Sequence, residues 1–262
     1  MEQTILEINN LNKIYPDGTN ALKNIHLSIN KGEFVVIIGL SGAGKSSLLR
    51  CINRLIEPSD GSVVFNGDDI VRAKGKKLRL IRRQIGMIFQ HYNLIKRVTT
   101  VQNVLHGRLG YMSSIKGGLG LFEKMDVESA LKLLERVGLL DQAFKRADEL
   151  SGGQQQRVGI SRAIAQNPAL IMADEPIASL DPASSRNVMG YLRDICKEDG
   201  ITAIVNLHQV EFAKEFADRI IGVKKGEIVF DGRPEQLTTE MTSMIYEGNV
   251  QESKDEPISR VL

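Results

Sequence analysis

Apolar and polar residues alternate near the start of the chain, at Leu6 and Ile8 and again at Ile25, Leu27 and Ile29. A period of two predicts half-buried strands, paired antiparallel. After Lys31-Gly32 the pattern changes to the unbroken apolar run Phe34-Val35-Val36-Ile37-Ile38, which suits a strand covered on both faces. A helical pattern follows, with Leu48, Leu49, Ile52 and Leu55 on one side. Val63 and Phe65 alternate before an Asn66-Gly67 turn, which adds a further strand to the N-terminal sheet.

From about residue 90 to about residue 150 the character differs. Apolar residues recur at helical spacing over 127–137, whereas 107–120 holds five glycines and predicts an irregular connection. The region reads as an α-helical subdomain, about residues 91–155, inserted between parallel strands. Ala169-Leu170-Ile171-Met172-Ala173 resumes the buried strands after Asn167-Pro168, which ends the preceding helix. Asp181-Pro182 supplies an N-cap and a first-turn proline; Val188, Leu192 and Ile195 form the inner stripe of that helix, and Gly200 ends it. Residues 202–207 form another buried strand, and 220–223 with 228–230 a hairpin about Lys225-Gly226. Residues 251–262 are polar and predict a disordered tail, leaving 1–250 as one domain.

A length of 262 residues is enough for a sizeable core, and one large α/β domain is expected. A net charge of +2 with 25% charged residues gives no footprint for nucleic acid. Cys51 and Cys196 lie in helical patterns without metal-ligand spacing, so two packing thiols in a reduced, cytosolic protein are expected. Met1-Glu2-Gln3-Thr4 lacks the basic and apolar regions of a secretory signal. The apolar runs fall far short of the ~20 residues that cross a bilayer, so membrane association is expected only through a partner.

Three motifs carry chemistry. Gly39-Leu40-Ser41-Gly42-Ala43-Gly44-Lys45-Ser46, followed by Ser47, matches G-x-x-x-x-G-K-[ST] between a predicted strand and a predicted helix. Its glycines let backbone N–H groups converge on phosphate oxygens at a helix start. Lys45 is placed to reach the β- and γ-phosphates, and the Ser46 hydroxyl to ligate Mg²⁺. Asp174-Glu175 ends a buried strand in two carboxylates, one suited to the Mg²⁺ shell and one to polarising a water. Leu150-Ser151-Gly152-Gly153-Gln154 is a second phosphate-type helix start, which a single chain has no evident need for unless it serves another molecule's nucleotide.

Together these motifs resemble the ATP-binding cassette (ABC) family, from about residue 6 to about residue 237. The resemblance implies a P-loop ATPase fold: a mostly parallel core sheet, an N-terminal antiparallel β-subdomain and the helical insertion. It implies ATP and Mg²⁺, and a head-to-tail dimer in which Ser151 and Gly153 of one copy cap the γ-phosphate held by the other. Further positions match family motifs. Gln90 resembles the glutamine that touches Mg²⁺ and the attacking water; Ser179-Leu180-Asp181 resembles the loop that crosses to the facing subunit; His208 resembles the switch histidine; Tyr15 stands where an aromatic stacks on adenine. His26, His91 and His106 match no motif and read as surface or loop residues.

Glu175-Pro176-Ile177-Ala178-Ser179, where many ABC subunits read Glu-Pro-Thr-Ser, is joined by Leu207-His208-Gln209-Val210 and Gly107-Arg108-Leu109-Gly110-Tyr111 in resembling the ATP-binding subunits of phosphonate importers. That likeness implies two transmembrane permease subunits and an extracytoplasmic solute-binding protein, with this chain peripheral on the cytoplasmic face. Residues around 90–101, including Tyr92 and Asn93, would form the coupling surface. A phosphate or polar amino acid importer, an exporter and a soluble ABC ATPase are the alternatives.

Overall fold

The alternating N-terminal segments pair as their period requires: β1 (Thr4–Ile14) runs antiparallel to β2 (Asn20–Asn30), and Leu6, Ile8, Leu11, Ile25 and Ile29 are buried. The computed structural model describes residues 3–90 and 92–247; His91 and the polar segment 251–262 lie outside the described residues. β3 (Phe34–Ile38) is buried at all five positions and feeds the glycine loop, after which α1 (Lys45–Ile52) begins. α1 stops earlier than the apolar pattern predicts: Arg54 takes a φ of 50°, which turns Leu55 out to solvent. β4 (Asp60–Phe65) pairs with β1 and turns into β5 (Asp68–Asp69) through Asn66 and Gly67, whose φ values of 49° and 81° suit a type I′ hairpin.

α2 (Gly75–Arg82) leads to β6 (Ile85–Ile88), and helices take over: α3 (Thr100–Leu105), α4 (Ser114–Gly118), α5 (Lys124–Arg136) and α6 (Gly152–Ala165). They fill the stretch where the sequence predicts a helical subdomain over about 91–155, with α6 running on to Ala165. The glycine-rich segment 107–120 is more ordered than predicted, holding a 3₁₀ turn over His106–Tyr111 and then α4. Gly107 explains why a glycine is used there. A Cβ at that position would lie 2.2 Å from the Arg162 carbonyl oxygen, so the residue serves close packing on α6.

β7 (Leu170–Asp174), α7 (Pro182–Glu198), β8 (Thr202–Asn206), α8 (Val210–Phe216), β9 (Arg219–Lys224), β10 (Glu227–Gly232) and α9 (Thr239–Tyr246) complete the described chain. The central sheet has the order β10-β9-β3-β8-β7-β6, with β10 antiparallel to its neighbour and the rest parallel. Because β3 is covered on both faces, its side chains split between two cores. Val35 and Ile37 join the residues of β1, β2 and α1; Phe34, Val36 and Ile38 join those of α6, α7 and α8. Asn206 lies in register with Ile37 on one side and Asp174 on the other, so the carboxyl ends of β3, β8 and β7 meet where the glycine loop departs. That edge is where ligands of open parallel sheets bind.

Candidate nucleotide site

The loop is held by contacts that admit only glycine at two positions. Gly39 leaves β3 with a φ of 149°, and a Cβ there would lie 2.1 Å from the Val223 carbonyl oxygen of β9. Gly44, with a φ of 107°, N-caps α1, and a Cβ would lie 2.3 Å from the Ala21 carbonyl oxygen. No side chain caps α1, and no acid lies in its first turn. Its opening N–H groups therefore form a ready anion-binding end. Lys45 is buried, and its ammonium donates to the carbonyl oxygens of Gly39 and Leu40, each at 2.8 Å. Burial lowers its pKa from the usual lysine range, while the charges of Glu175 and Asp174 oppose that shift.

Behind the loop, Ser46 Oγ donates to Asp174 Oδ1 at 2.7 Å, and Asn206 Nδ2 donates to the same oxygen at 2.9 Å. Arg50 Nη2 lies 3.6 Å from Asp174 Oδ2. Asn206 is fully buried, and its Oδ1 has no protein partner. These groups fit Mg²⁺: a hydroxyl and a single carboxylate are hard oxygen donors, and they leave most of an octahedral shell to waters and phosphate oxygens. The unpaired Asn206 Oδ1 would accept from such a water. Among the described residues no group of three His, Cys, Asp or Glu could cage a metal, so a cation here would be shared with its substrate.

Glu175 follows Asp174 with a φ of 52°. A left-handed non-glycine residue costs of order 1–3 kcal/mol, and such strain persists only where surroundings enforce it. Here the Glu175 N–H extends the β7–β8 ladder to the Asn206 carbonyl at 3.2 Å, and the Glu175 carbonyl accepts from Ala178. The side chain is thereby aimed at His208, whose Nε2 lies 2.5 Å from Glu175 Oε1. The pair lines a cleft of about 150 Å³ with Ile177, Ala178, Leu207 and Gln209. A half-buried carboxylate beside an imidazole can take a proton from water and keep its orientation while doing so.

Tyr15, just past β1, bonds through its hydroxyl to Ser47 Oγ at 3.0 Å, beside α1. Ser151 and Gln154 form a capping box at the start of α6: the Ser151 hydroxyl accepts from the Gln154 N–H, and the Gln154 side chain accepts from the Ser151 N–H at 2.9 Å. Gly152 packs under Tyr92 and Leu180, and Gly153 against Ser184. No hydrogen bond among the described residues joins 151–154 to the loop of Lys45. Asp181 is exposed and caps α7 by accepting from the N–H groups of Ala183 and Ser184; the Ser184 hydroxyl first, and then these N–H groups, lower its pKa. Gln90 is also exposed. It lines a groove with Tyr92, Asn93, Lys96, Gln155 and Ser179, and no hydrogen bond among the described residues ties it to Ser46, Asp174 or Glu175.

Asn206 and Arg162, at or beside the site, are absent from the sequence reading. Asn206 stands at the end of an apolar strand, and that single polar position directly before Leu207-His208 was the available signal. Arg162 lies within α6, where burial lowers its pKa, and donates to the carbonyls of Tyr92 at 3.0 Å and Asn93 at 2.6 Å. It fixes the segment that follows Gln90. A lone cation within Ile160-Ser161-Arg162-Ala163-Ile164-Ala165 was its only trace in the sequence.

A glycine loop between strand and helix, with a serine in the first turn of that helix bonded to an aspartate at the end of a neighbouring strand, defines a P-loop nucleotide-binding ATPase. The family model described as "ABC transporter" matches residues 22–178, and the chain belongs to that family. It is 64% identical over 243 residues to the phosphonates import ATP-binding protein PhnC 2 of Halalkalibacterium halodurans, covering 93% of this chain and 100% of that one. A protein of the same name from Oceanobacillus iheyensis is 58% identical, with 93% and 96% covered. Among solved structures, cbiO1 from Clostridium perfringens, part of the ABC transporter complex cbiONQ, superposes with a TM-score of 0.80 at 30% identity, covering 93% of this chain and 94% of that one. The dimeric post-hydrolysis state of the ATP-binding cassette MJ0796, bound to ADP and Pi, superposes with a TM-score of 0.75 at 36% identity, covering 88% and 99%.

Proposed function

We propose that this chain is the ATP-hydrolysing, energy-coupling subunit of a bacterial ABC importer of phosphonates. The observation that carries the chemistry is the convergence of Lys45, Ser46, Asp174, Glu175 and His208 at adjoining strand ends. The substrate class is supported by full-length identity to proteins named for phosphonate import.

Lys45 and the N–H groups at the start of α1 hold the phosphates, and Tyr15 stacks on adenine. Ser46 and Asp174 would hold Mg²⁺, with Asn206 fixing the aspartate and Gln90 a further ligand by its place in the motif order. That ion would neutralise charge on the phosphates. Glu175 orients a water for attack on the γ-phosphate and accepts its proton, and His208 holds Glu175 in line. Residues 151–154 serve the nucleotide of a second copy, and Asp181 approaches that copy too; the similar cassette MJ0796 is dimeric. The segment held by Arg162 contacts two permease subunits, which receive phosphonate from an extracytoplasmic binding protein. The chain sits peripherally on the cytoplasmic face; among its described residues no helix is long and apolar enough to cross a membrane.

The substrate assignment is tested by disrupting this chain and growing the strain on a phosphonate as sole phosphorus source. Growth should fail and return on complementation, with growth on inorganic phosphate unaffected. Unimpaired growth would remove the phosphonate assignment.

A further inference from the structure

α9 lies beyond the 22–178 match to the family model and carries none of the motifs read above, yet it reaches the centre of the site. Its last residue, Tyr246, donates its hydroxyl to the His208 carbonyl oxygen at 2.9 Å. Among the described residues His208 has two hydrogen bonds, one from its ring to Glu175 and one from Tyr246 to its backbone. The neighbouring residues are tied by their backbones, Leu207 to the Ile37 carbonyl of β3 and the Gln209 carbonyl to the Ala213 N–H of α8, whereas the Gln209 side chain makes no cap bond among the described residues.

Burial raises the Tyr246 pKa, and the backbone of Gly39 opposes that rise.

α9 is itself firmly seated. Ile245 is fully buried on β9, so close that a Cβ on Gly222 would lie 2.6 Å from its Cδ1. Lys224 Nζ donates to the Met244 carbonyl at 2.5 Å. β9 in turn supplies the Val223 carbonyl that abuts Gly39. A half-buried tyrosine such as Tyr246 commonly bonds whichever carbonyl is near. Here the partner belongs to the one loop whose position sets the angle between His208 and Glu175, and the helix carrying the phenol is fixed to the strand that braces the phosphate loop.

We propose that Tyr246 is a positioning residue for ATP hydrolysis, holding the backbone of His208 in fixed relation to the phosphate loop through its hydroxyl. The proposal builds on the ATPase reading of Glu175 and His208. Tyr246→Phe is the test, because it keeps the ring and removes only the oxygen. Losing one such hydrogen bond should lower kcat about tenfold, with KM for ATP within about twofold of wild type. The thermal midpoint followed by circular dichroism should stay near the wild-type value. Independently of turnover, spectra of protein labelled at its four histidines should show the His208 ring signals displaced, identified through His208→Gln, and the other three in place. An unchanged kcat would overturn the proposal, as would a loss shared between kcat, KM and thermal midpoint, which marks a structural strut. Unmoved His208 signals would overturn it even in a chain that turned over no ATP, a result that would separately count against the ATPase reading.

Discussion

The phosphate loop and the signature at residues 151–154 are both glycine-bearing helix starts, yet the protein builds them in opposite ways. The first is sunk at the ends of buried strands. Its cap is a glycine without a side chain, and its lysine is 3% exposed. The second stands at the surface, capped by Ser151 and Gln154 within its own chain, with no bond to the first. A helix end that has no side-chain cap and adjoins Ser46 and Asp174 is built to keep a charged ligand. One that is already capped and exposed is not open in that way. The contrast supports the proposal that the two halves of one reaction lie in two copies of the chain.

Lys45→Ala gives the largest expected effect. Removing the cation of the buried half should cost about a thousandfold in kcat/KM for ATP. Binding of a fluorescent ATP analogue should vanish, and retained wild-type hydrolysis would break the assignment. Ser151→Arg probes the exposed half and should separate the two. Turnover should fall about a hundredfold, whereas analogue binding to the isolated chain should stay within about twofold of wild type. In a Glu175→Gln background, which should bind ATP without consuming it, gel filtration with ATP should show a dimer that Ser151→Arg abolishes. A monomer before that substitution would count against the two-copy arrangement.

The smallest effect concerns neither half. Burial raises the Cys51 thiol to about 11 and the Cys196 thiol to about 12, from 9.0 when exposed. The folded pKa exceeds the unfolded one, so the stability these thiols lend is complete below pH 9 and is lost as pH rises through 11 and 12. The thermal midpoint should decline over that range, and replacing both cysteines by alanine should flatten the decline. At pH 8 neither thiol should react with a maleimide until the chain unfolds.

What could be read without coordinates follows from where the information is stored. The paired N-terminal strands, the buried run ending at Gly39 and the cap at Asp181 depend on local periods and turn chemistry, so a short window suffices for each. Lys45 and Ser46 were read from strand, glycine loop and helix in a fixed order, and Asp174 and Glu175 from two carboxylates ending an apolar run; the fold joins Ser46 to Asp174. Asn206 and Tyr246 were not. Asn206 acquires meaning only when β8 lies beside β7, and Tyr246 only when the last described helix folds back across β9. Gly107 misled for a related reason, since nothing nearby in sequence reveals that its missing side chain makes room for the Arg162 carbonyl.

The reciprocal bonds of Ser151 and Gln154 bear on how quickly the engine could cycle. Because that edge is rigid before anything touches it, joining two copies demands little freezing of loose chain, and parting them releases little disorder in return. On the proposed two-copy arrangement, the clasp is cast in advance and has only to be brought to its mate.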